Sequence, residues 1–268
     1  MHNKNLWRLI RNFIVIVAAL SMVGFGKSSE PLKFTYLDHV DPSIKFHPVM
    51  FTNQFAVNDD DKIEYCIFSS KGNQRLPGYE GKRCIVEYEM ALELRKMQAE
   101  LSELSPYILK VFDTYRPQQA VDFFGKWIQE SDDLLVKKYH YPNIDKLDFQ
   151  DLSYIAKRAS HSLGTAIDLT IALTEEKRGL IEKQRPDGFL GIFDPTELDV
   201  GNVGYLAFDT RSSHEYSDLS EIQIENRKML LGLVEKHHFI KIRAEFWHYF
   251  YKRDRNKTTY FNFPIRDN

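Results

Sequence analysis

Cysteine is scarce in this 268-residue sequence, which contains only Cys66 and Cys84. Two thiols are too few for a disulfide-rich scaffold or for a cysteine-rich zinc site. If the chain enters an oxidising compartment, the two thiols are able to form one disulfide bond. The alternative, two separate buried thiols, stays open at this point.

A large excess of charge of either sign is also lacking, because the formal net charge is only −2. The basic residues are scattered along the chain and form no stripe of the kind that nucleic-acid binding requires. We therefore expect no nucleic-acid partner. With 43% hydrophobic and 13% aromatic residues, the chain is instead able to bury a sizeable core.

No apolar run is long enough for a typical membrane span of about 20 residues. The longest, "FIVIVAALSMVGFG", covers residues 13–26 and follows three basic residues: Lys4, Arg8 and Arg11. This order, with small residues at its end, predicts a signal peptide over residues 1–26 and an exported protein, periplasmic or secreted. An uncleaved anchor is the alternative. No cysteine follows the run, so a lipoprotein is not indicated, and we expect no stable membrane insertion after cleavage.

The mature chain contains no internal repeat, low-complexity tract or linker, which predicts one domain over residues 30–268. Helical spacing of apolar residues predicts helices within 86–104, after Pro117, and within 220–239. Strand-like segments occur at 108–115, 165–173 and 240–253. Helices and strands mix without regular alternation, which favours an α+β fold. The oligomeric state is left open by these patterns.

The stretch "ASHSLGTAIDLT" brings together residue types that bind metals. His161 precedes a turn that contains glycine, and Asp168 lies on the following strand, so reversal of the chain can bring the two side chains together. Alternation in "TAIDLTIAL" predicts that this strand is half-buried. A catalytic zinc site takes three protein ligands, and His248 in "AEFWHYF" is the best third candidate. Glu245 precedes it by three residues in an apolar segment, where a carboxylate needs a polar cleft.

Periodicity alone would place Glu245 and His248 on opposite faces of a strand, so their cooperation requires a bulge or a bend near Phe246. A carboxylate beside a metal can act as a general base. Each signal is weak by itself, because a histidine among aromatic residues is more often a hydrogen-bonded core residue.

The combination of "DTYRP", "SHSLGTAID" and "EFWH", in this order, resembles the zinc D-alanyl-D-alanine dipeptidases of the VanX type. The segments "HYPNID", "NRKMLLGLVEKHHF" and "YFNFP" also look like parts of that family. The resemblance runs from about Phe34 to Pro264. It implies a single-domain α+β zinc peptidase with a central antiparallel sheet and flanking helices.

The resemblance also implies a role for each matching residue. One zinc ion would be bound by His161, Asp168 and His248, while Glu245 would act as general base and acid. Arg116 of "DTYRP" would stabilise the oxyanion that develops on the scissile carbonyl. The expected partner is a small peptide substrate, D-Ala-D-Ala or a related dipeptide, in peptidoglycan metabolism.

Several positions depart from the family pattern near the expected substrate. Ala159 replaces a serine two residues before the first zinc histidine, and Leu206 falls where the family has the acid that faces the ammonium group. A substrate-facing tyrosine falls near Met50 or Phe51. An apparent insertion lies between Phe55 and Tyr79. In the last motif, the family usually has two consecutive tryptophans, and Phe246 replaces the first of them, before Trp247.

These observations leave three hypotheses. The chain is a D-Ala-D-Ala dipeptidase, a related zinc peptidase with carboxypeptidase-like or other dipeptide specificity, or a non-catalytic zinc domain that binds cell-wall fragments. The presence of both Glu245 and Arg116 argues against the third, because a binding module needs neither to hold zinc.

Overall fold

A sheet built by strands from both halves of the chain organises the fold. The computed structural model describes residues 33–46, 76–130, 134–180, 196–201, 208–251 and 258–267. The strands in these ranges are β1 (Phe34–Tyr36), β2 (Lys45–Phe46), β3 (Ile85–Glu87), β4 (Tyr107–Asp113), β5 (Ala166–Leu173), β6 (Phe239–Ile242) and β7 (Glu245–Tyr251). The α-helices there are α1 (Leu37–Val40), α2 (Tyr88–Glu103), α3 (Gln118–Trp127), α4 (Leu134–His140) and α5 (Glu221–Lys236).

The main sheet has the strand order β2-β4-β5-β7-β6 among the described residues. Strands β4, β5, β7 and β6 pair antiparallel, whereas the short edge strand β2 runs parallel to β4. β1 and β3 form a separate antiparallel pair. The predicted α+β class with a central antiparallel sheet and flanking helices is confirmed, with β2 as a parallel addition at one edge.

Helix α2 forms where its apolar spacing predicts it. Met90, Leu94, Met97 and Leu101 repeat at intervals of three or four residues, and all four are fully buried. Burial of each such side chain contributes about 1.5–3 kcal/mol relative to exposure. The helix begins after Glu87, whose carboxylate accepts a hydrogen bond from the backbone N–H of Met90 at 3.0 Å.

Strand β4 leads through a tight corner into helix α3, as predicted. The proline at this corner has no side chain able to cap the helix, and the cap comes from the C-terminal segment instead. The backbone N–H of Gln118 donates to the carbonyl of Phe261 at 3.1 Å, and that of Gln119 donates to Asn262 Oδ1 at 2.8 Å. The C-terminal residues therefore secure the start of α3.

Three local predictions differ from the structure. Strand β5, the middle strand of the sheet, is buried on both faces, not one, because every residue along it is buried. The segment 240–253 contains two strands joined at Arg243 and Ala244, not one. The helical spacing within 220–239 also predicts a buried Ile222, but in α5 this residue is 51% exposed, and the buried face instead includes Arg227. Its guanidinium is satisfied by three backbone carbonyls, those of Val200, Arg211 and Ser213.

The N-terminal prediction lies outside the described residues, so the signal peptide over 1–26 stays a prediction. From residue 33 onward, no described helix is long and apolar enough to cross a membrane. Cys84 is a free, buried thiol whose Sγ lies 3.1 Å from Thr114 Oγ1. Cys66 is outside the described part of the chain, so a disulfide between the two cysteines stays a prediction.

Candidate active site

The sheet places two of the predicted metal ligands side by side. Asp168 on β5 and His248 on β7 are direct partners across the two strands. Facing residues of antiparallel strands have Cβ atoms about 4.5–5.5 Å apart, so their side chains meet on one face of the sheet. His248 Nδ1 lies 3.1 Å from Asp168 Oδ1. Strand pairing alone thus accounts for this contact.

The third predicted ligand comes from the turn before β5. His161 lies in a short 3-10 helix, Ser160–Leu163, which ends at Gly164 with φ of 72°. This left-handed conformation favours glycine, and a Cβ at the position would also lie 2.7 Å from the ring of Phe34. The turn reverses the chain, so that His161 Nε2 is 3.3 Å from Asp168 Oδ2.

The three side chains form a compact and almost fully buried group. One ligand atom from each of His161, Asp168 and His248 lies within 4.8 Å of the other two. Burial would raise the pKa of Asp168, but the two histidines outweigh this effect and hold it well below the ordinary value. Burial likewise would lower the pKa of His248, yet the Asp168 and Glu245 carboxylates raise it to about 9. The ionised Asp168 therefore lies between two imidazoles, each of which has a nitrogen able to bind a metal.

Hydrogen bonding at His161 shows why a cation fits here. Its Nδ1 lies 2.5 Å from the carbonyl oxygen of Thr114, so Nδ1 donates to this acceptor and Nε2 is the nitrogen left to bind a metal. Nε2 is buried and lies 3.3 Å from Asp168 Oδ2, and it makes no hydrogen bond within the described residues. With Nε2 deprotonated, as metal binding requires, this nitrogen and the Asp168 carboxylate can share one cation. The donor set of two imidazoles and one carboxylate suits a divalent transition metal.

The His248 ring is also oriented by a contact at the nitrogen that faces away from Asp168. Its Nε2 lies 3.3 Å from Ser160 Oγ, while Nδ1 points toward Asp168. Metal-binding histidines commonly use the second ring nitrogen for such a contact, which sets the tautomer and the ring angle. Ser160 is a residue that the sequence analysis missed, although it immediately precedes His161.

Glu245 lies beside the three candidate ligands, as the predicted irregularity in β7 requires. The β6–β7 register passes from Lys241 opposite Tyr249 directly to Ile242 opposite Glu245, so β7 has extra residues at this point. The bulge turns Glu245 to the same side as His248, with Oε2 and Nδ1 3.3 Å apart. Burial raises the pKa of Glu245, although His248 and Arg116 act in the opposite direction. A carboxylate in this setting is suited to accept and return a proton.

Arg116 lies at the corner between β4 and α3 and points to the same group. Its Nε donates to Asp113 Oδ2 at 2.8 Å, and one of its terminal nitrogens lies 3.5 Å from Asp168 Oδ2. The side chain is 13% exposed. All five residues predicted for the site therefore converge in space, with a permanent cation on one side and a titratable carboxylate on the other.

The structure adds neighbours that the sequence analysis did not identify. Asp113, in the quoted "DTYRP" motif, had no assigned role, and Tyr79 was placed only at the end of the insertion. Tyr154 lies close enough for the Glu245 carboxylate to contribute, after burial, to raising the pKa of Tyr154 to about 12. The sequence signal available was that Tyr154 precedes His161 by only seven residues.

The departures from the family pattern are only partly covered by the described residues. Ala159 is buried and offers no side-chain hydrogen bond at the start of the 3-10 helix. Phe246 and Trp247 are both buried in the core, with their ring centroids 4.9 Å apart. The remaining positions lie outside the described part: Leu206, Met50, Phe51 and residues 55–75 of the insertion.

Comparison with known proteins agrees with this geometry. Residues 61–181 match a family model described as D-ala-D-ala dipeptidase. A D-alanyl-D-alanine dipeptidase of Enterococcus faecium is 30% identical over 233 residues, which is 87% of this chain and 98% of the relative. Dipeptidases of the same name from Enterococcus faecalis and Streptomyces coelicolor are 31% and 29% identical, each over 75% of this chain and 90% of the relative. The chain therefore belongs to the D-Ala-D-Ala dipeptidase family of metallopeptidases.

Proposed function

We propose that the protein is a zinc dipeptidase that hydrolyses D-Ala-D-Ala or a closely related small peptide. The observation that carries this proposal is the convergence of two histidines and an aspartate with a buried glutamate and an arginine. The substrate follows from the names of the relatives, which are similar along nearly their whole length.

The proposed ligands of a single zinc ion are His161 Nε2, Asp168 and His248 Nδ1. The contacts of Thr114 and Ser160 with the outer ring nitrogens hold both imidazoles in the required orientation. When bound, zinc supplies a Lewis acid that polarises the scissile carbonyl and lowers the pKa of water toward about 7. Three protein ligands leave room for water and substrate, as catalysis requires.

Glu245 is the proposed general base and acid. It takes a proton from the attacking water and returns it to the amine that leaves when the C–N bond breaks. Burial raises its pKa, so the carboxylate accepts a proton from water more readily than an exposed carboxylate would. The nearby His248 and Arg116 keep the ionised form accessible, so that the residue is able to cycle between both states.

Arg116 is the proposed partner of the oxyanion. Its guanidinium remains charged at any working pH and lies next to Asp168, close to where the scissile carbonyl would lie. A fixed positive charge in a buried site stabilises the negative charge that develops in the transition state. A module that only bound cell-wall fragments would have no use for this arrangement.

A second candidate is a related zinc peptidase for dipeptides or peptidoglycan stems with a blocked or extended amino end. The buried, non-polar Ala159 favours it, because this position offers no hydroxyl to a substrate amine. Leu206, aligned with the family's acid, would weaken recognition of a free ammonium group further. Both candidates share the zinc, the base and the arginine.

The test is a hydrolysis panel with purified protein that lacks residues 1–26, assayed with and without added zinc. The substrates are D,D-, L,D- and L,L-dipeptides and a peptidoglycan stem peptide. We expect zinc-dependent release of D-alanine from D,D-substrates. Absence of hydrolysis across the panel in a folded, zinc-loaded protein would contradict the proposal.

We also propose that the protein is exported and acts on cell-wall peptides outside the cytoplasm. The support is the basic, then apolar, then small-residue order of residues 1–26. Intact mass of the protein recovered from the cell envelope is expected to lack about 26 residues. A full-length mass would favour the uncleaved anchor.

A further inference from the structure

Asp113 connects the proposed oxyanion residue to the sheet. Between β4 and β5 the register passes from Val111 opposite Leu169 to Asp113 opposite Asp168, so Phe112 is an extra residue in β4. This bulge turns Asp113 toward the site. Two acidic residues therefore face each other across neighbouring strands, and Arg116 contacts both.

The two contacts determine the orientation of the Arg116 guanidinium. Nε donates to Asp113 Oδ2 at 2.8 Å, while a terminal nitrogen lies 3.5 Å from Asp168 Oδ2. Because the guanidinium is planar, contacts at its inner and outer nitrogens define the plane as well as the position of the charge. Asp113 is the shorter contact, and its side chain is only 4% exposed.

Asp113 is itself held by Tyr79. The phenol oxygen lies 3.1 Å from Oδ1 and 3.3 Å from Oδ2 of Asp113. Burial raises the pKa of Tyr79 well above its ordinary value, so the hydroxyl stays protonated and donates at any working pH. Tyr79 and Arg116 together satisfy a carboxylate that would be costly to bury alone.

The backbone around Tyr79 is tied to the same corner. Gly78 has φ of 85°, and a Cβ there would lie 2.8 Å from the ring of Pro117, the residue after Arg116. On its other side, the backbone N–H of Ile265 donates to the Gly78 carbonyl at 2.8 Å. The turn that carries Tyr79 is therefore packed between the arginine corner and the C-terminal segment.

We infer that Asp113 and Tyr79 are positioning residues for the proposed dipeptidase reaction: Tyr79 holds Asp113, and Asp113 sets the plane of Arg116 beside the metal ligands. This inference rests on the proposed role of Arg116. It makes Tyr79, at the end of the apparent insertion, a functional part of the site.

The same contacts separate this role from metal binding. Asp113 Oδ2 is 3.9 Å from His161 Nδ1, whereas the Thr114 carbonyl is only 2.5 Å from that nitrogen. The Thr114 carbonyl, not Asp113, is therefore the partner of the candidate ligand. Removal of the Asp113 charge should leave metal occupancy unchanged while it disturbs Arg116.

A double-mutant cycle tests the inference. Asp113→Asn is expected to lower kcat about 10²-fold with little change in KM, because misplacement of a catalytic group by about 1 Å costs that much. In an Arg116→Ala background the same change is expected to cost less than about twofold, since the group it positions is gone. Asp148→Asn, an exposed acid, is the matched control, and zinc content is measured for every variant.

Tyr79→Phe keeps the ring and removes only the hydroxyl, so it covers the case in which Asp113→Asn fails to fold. We expect a smaller loss of kcat, about tenfold, that also disappears in the Arg116→Ala background. Tyr88→Phe on the surface is its control. Equal losses in the presence and absence of Arg116, or loss of zinc with either change, would overturn the inference.

A readout independent of turnover is the Nε–H resonance of Arg116 in ¹⁵N-labelled protein, assigned by its disappearance in Arg116→Ala. We expect slow exchange with water in the wild type and fast exchange in Asp113→Asn. A wild-type protein that is inactive on every peptide would contradict the dipeptidase proposal. The exchange rate of this resonance would still test whether Asp113 holds Arg116, because it does not depend on turnover. An unprotected Nε–H in the wild type would overturn it.

Discussion

Asp168 and His248 are direct partners across β5 and β7, with Asp168 Oδ1 3.1 Å from His248 Nδ1. Two candidate ligands are thus held by paired strands of the main sheet. His161 depends instead on a short turn that ends at Gly164. The ligand set therefore combines two residues placed by strand pairing with one placed by a turn.

The first prediction concerns the ligand on the turn. His161→Ala removes one of three proposed protein ligands, so the purified variant is expected to lose most of its zinc on dialysis while it remains folded. Metal analysis with circular dichroism measures both properties. His39→Ala, an exposed histidine, should keep full zinc. Full occupancy in folded His161→Ala would remove His161 from the ligand set.

The second prediction concerns the proposed base. Glu245→Gln preserves the size of the side chain but cannot accept a proton from water. We expect kcat to fall by about 10² to 10⁴-fold, the usual contribution of general acid–base catalysis, with zinc retained. Steady-state kinetics and metal analysis measure the two effects, with the exposed Glu235→Gln as control. Wild-type turnover in Glu245→Gln would mean that another group is the base.

The third prediction is that zinc affinity rises with pH. The neighbouring carboxylates outweigh burial and raise the pKa of His248 to about 9, so a proton occupies the ring below that pH. A ligating histidine has to be neutral, and metal binding must therefore displace this proton. Between about pH 6 and pH 8 the dissociation constant is expected to fall by up to about tenfold per unit.

Calorimetric titration in buffers of different ionisation enthalpy measures the protons released at each pH. In Ser160→Ala the release is expected to persist, because the carboxylates that raise the pKa remain. A dissociation constant independent of pH across this range would show that His248 is not a ligand.

The fourth prediction concerns the amino end of the substrate. Ala159 and Leu206 stand where the family has side chains that can hydrogen-bond a charged amine. Each missing hydrogen bond would cost roughly 1.5–3 kcal/mol, which lowers the rate on the free amine by about one to two powers of ten. Free D-Ala-D-Ala is therefore expected to be a poor substrate relative to its N-acetyl form. Rates on the two compounds, in the wild type and in Ala159→Ser, measure this. A strong wild-type preference for the free amine would show that another acid compensates.

Sequence reasoning succeeded where spacing along the chain corresponds to distance in space. The repeat of Met90, Leu94 and Met97 predicts helix α2. The alternation of residues 165–173 predicts the strand that carries Asp168. Sequence reasoning failed where tertiary position overrides local pattern. β5 alternates like a half-buried strand, yet its polar positions Asp168 and Thr170 are buried as fully as its apolar ones.

The fold class, the family and the five residues of the candidate site can all be predicted from the amino-acid order. Metal ligands, a base and an arginine are recognisable from residue type, order and local motif, which a linear chain displays directly. How these residues are held in place depends on the folded backbone. The bulge at Phe112 aligns Asp113 with Asp168, and the turn at Gly78 brings Tyr79 against the same corner. Such contacts join residues 34 or more positions apart, and they depend on backbone geometry that no local spacing specifies.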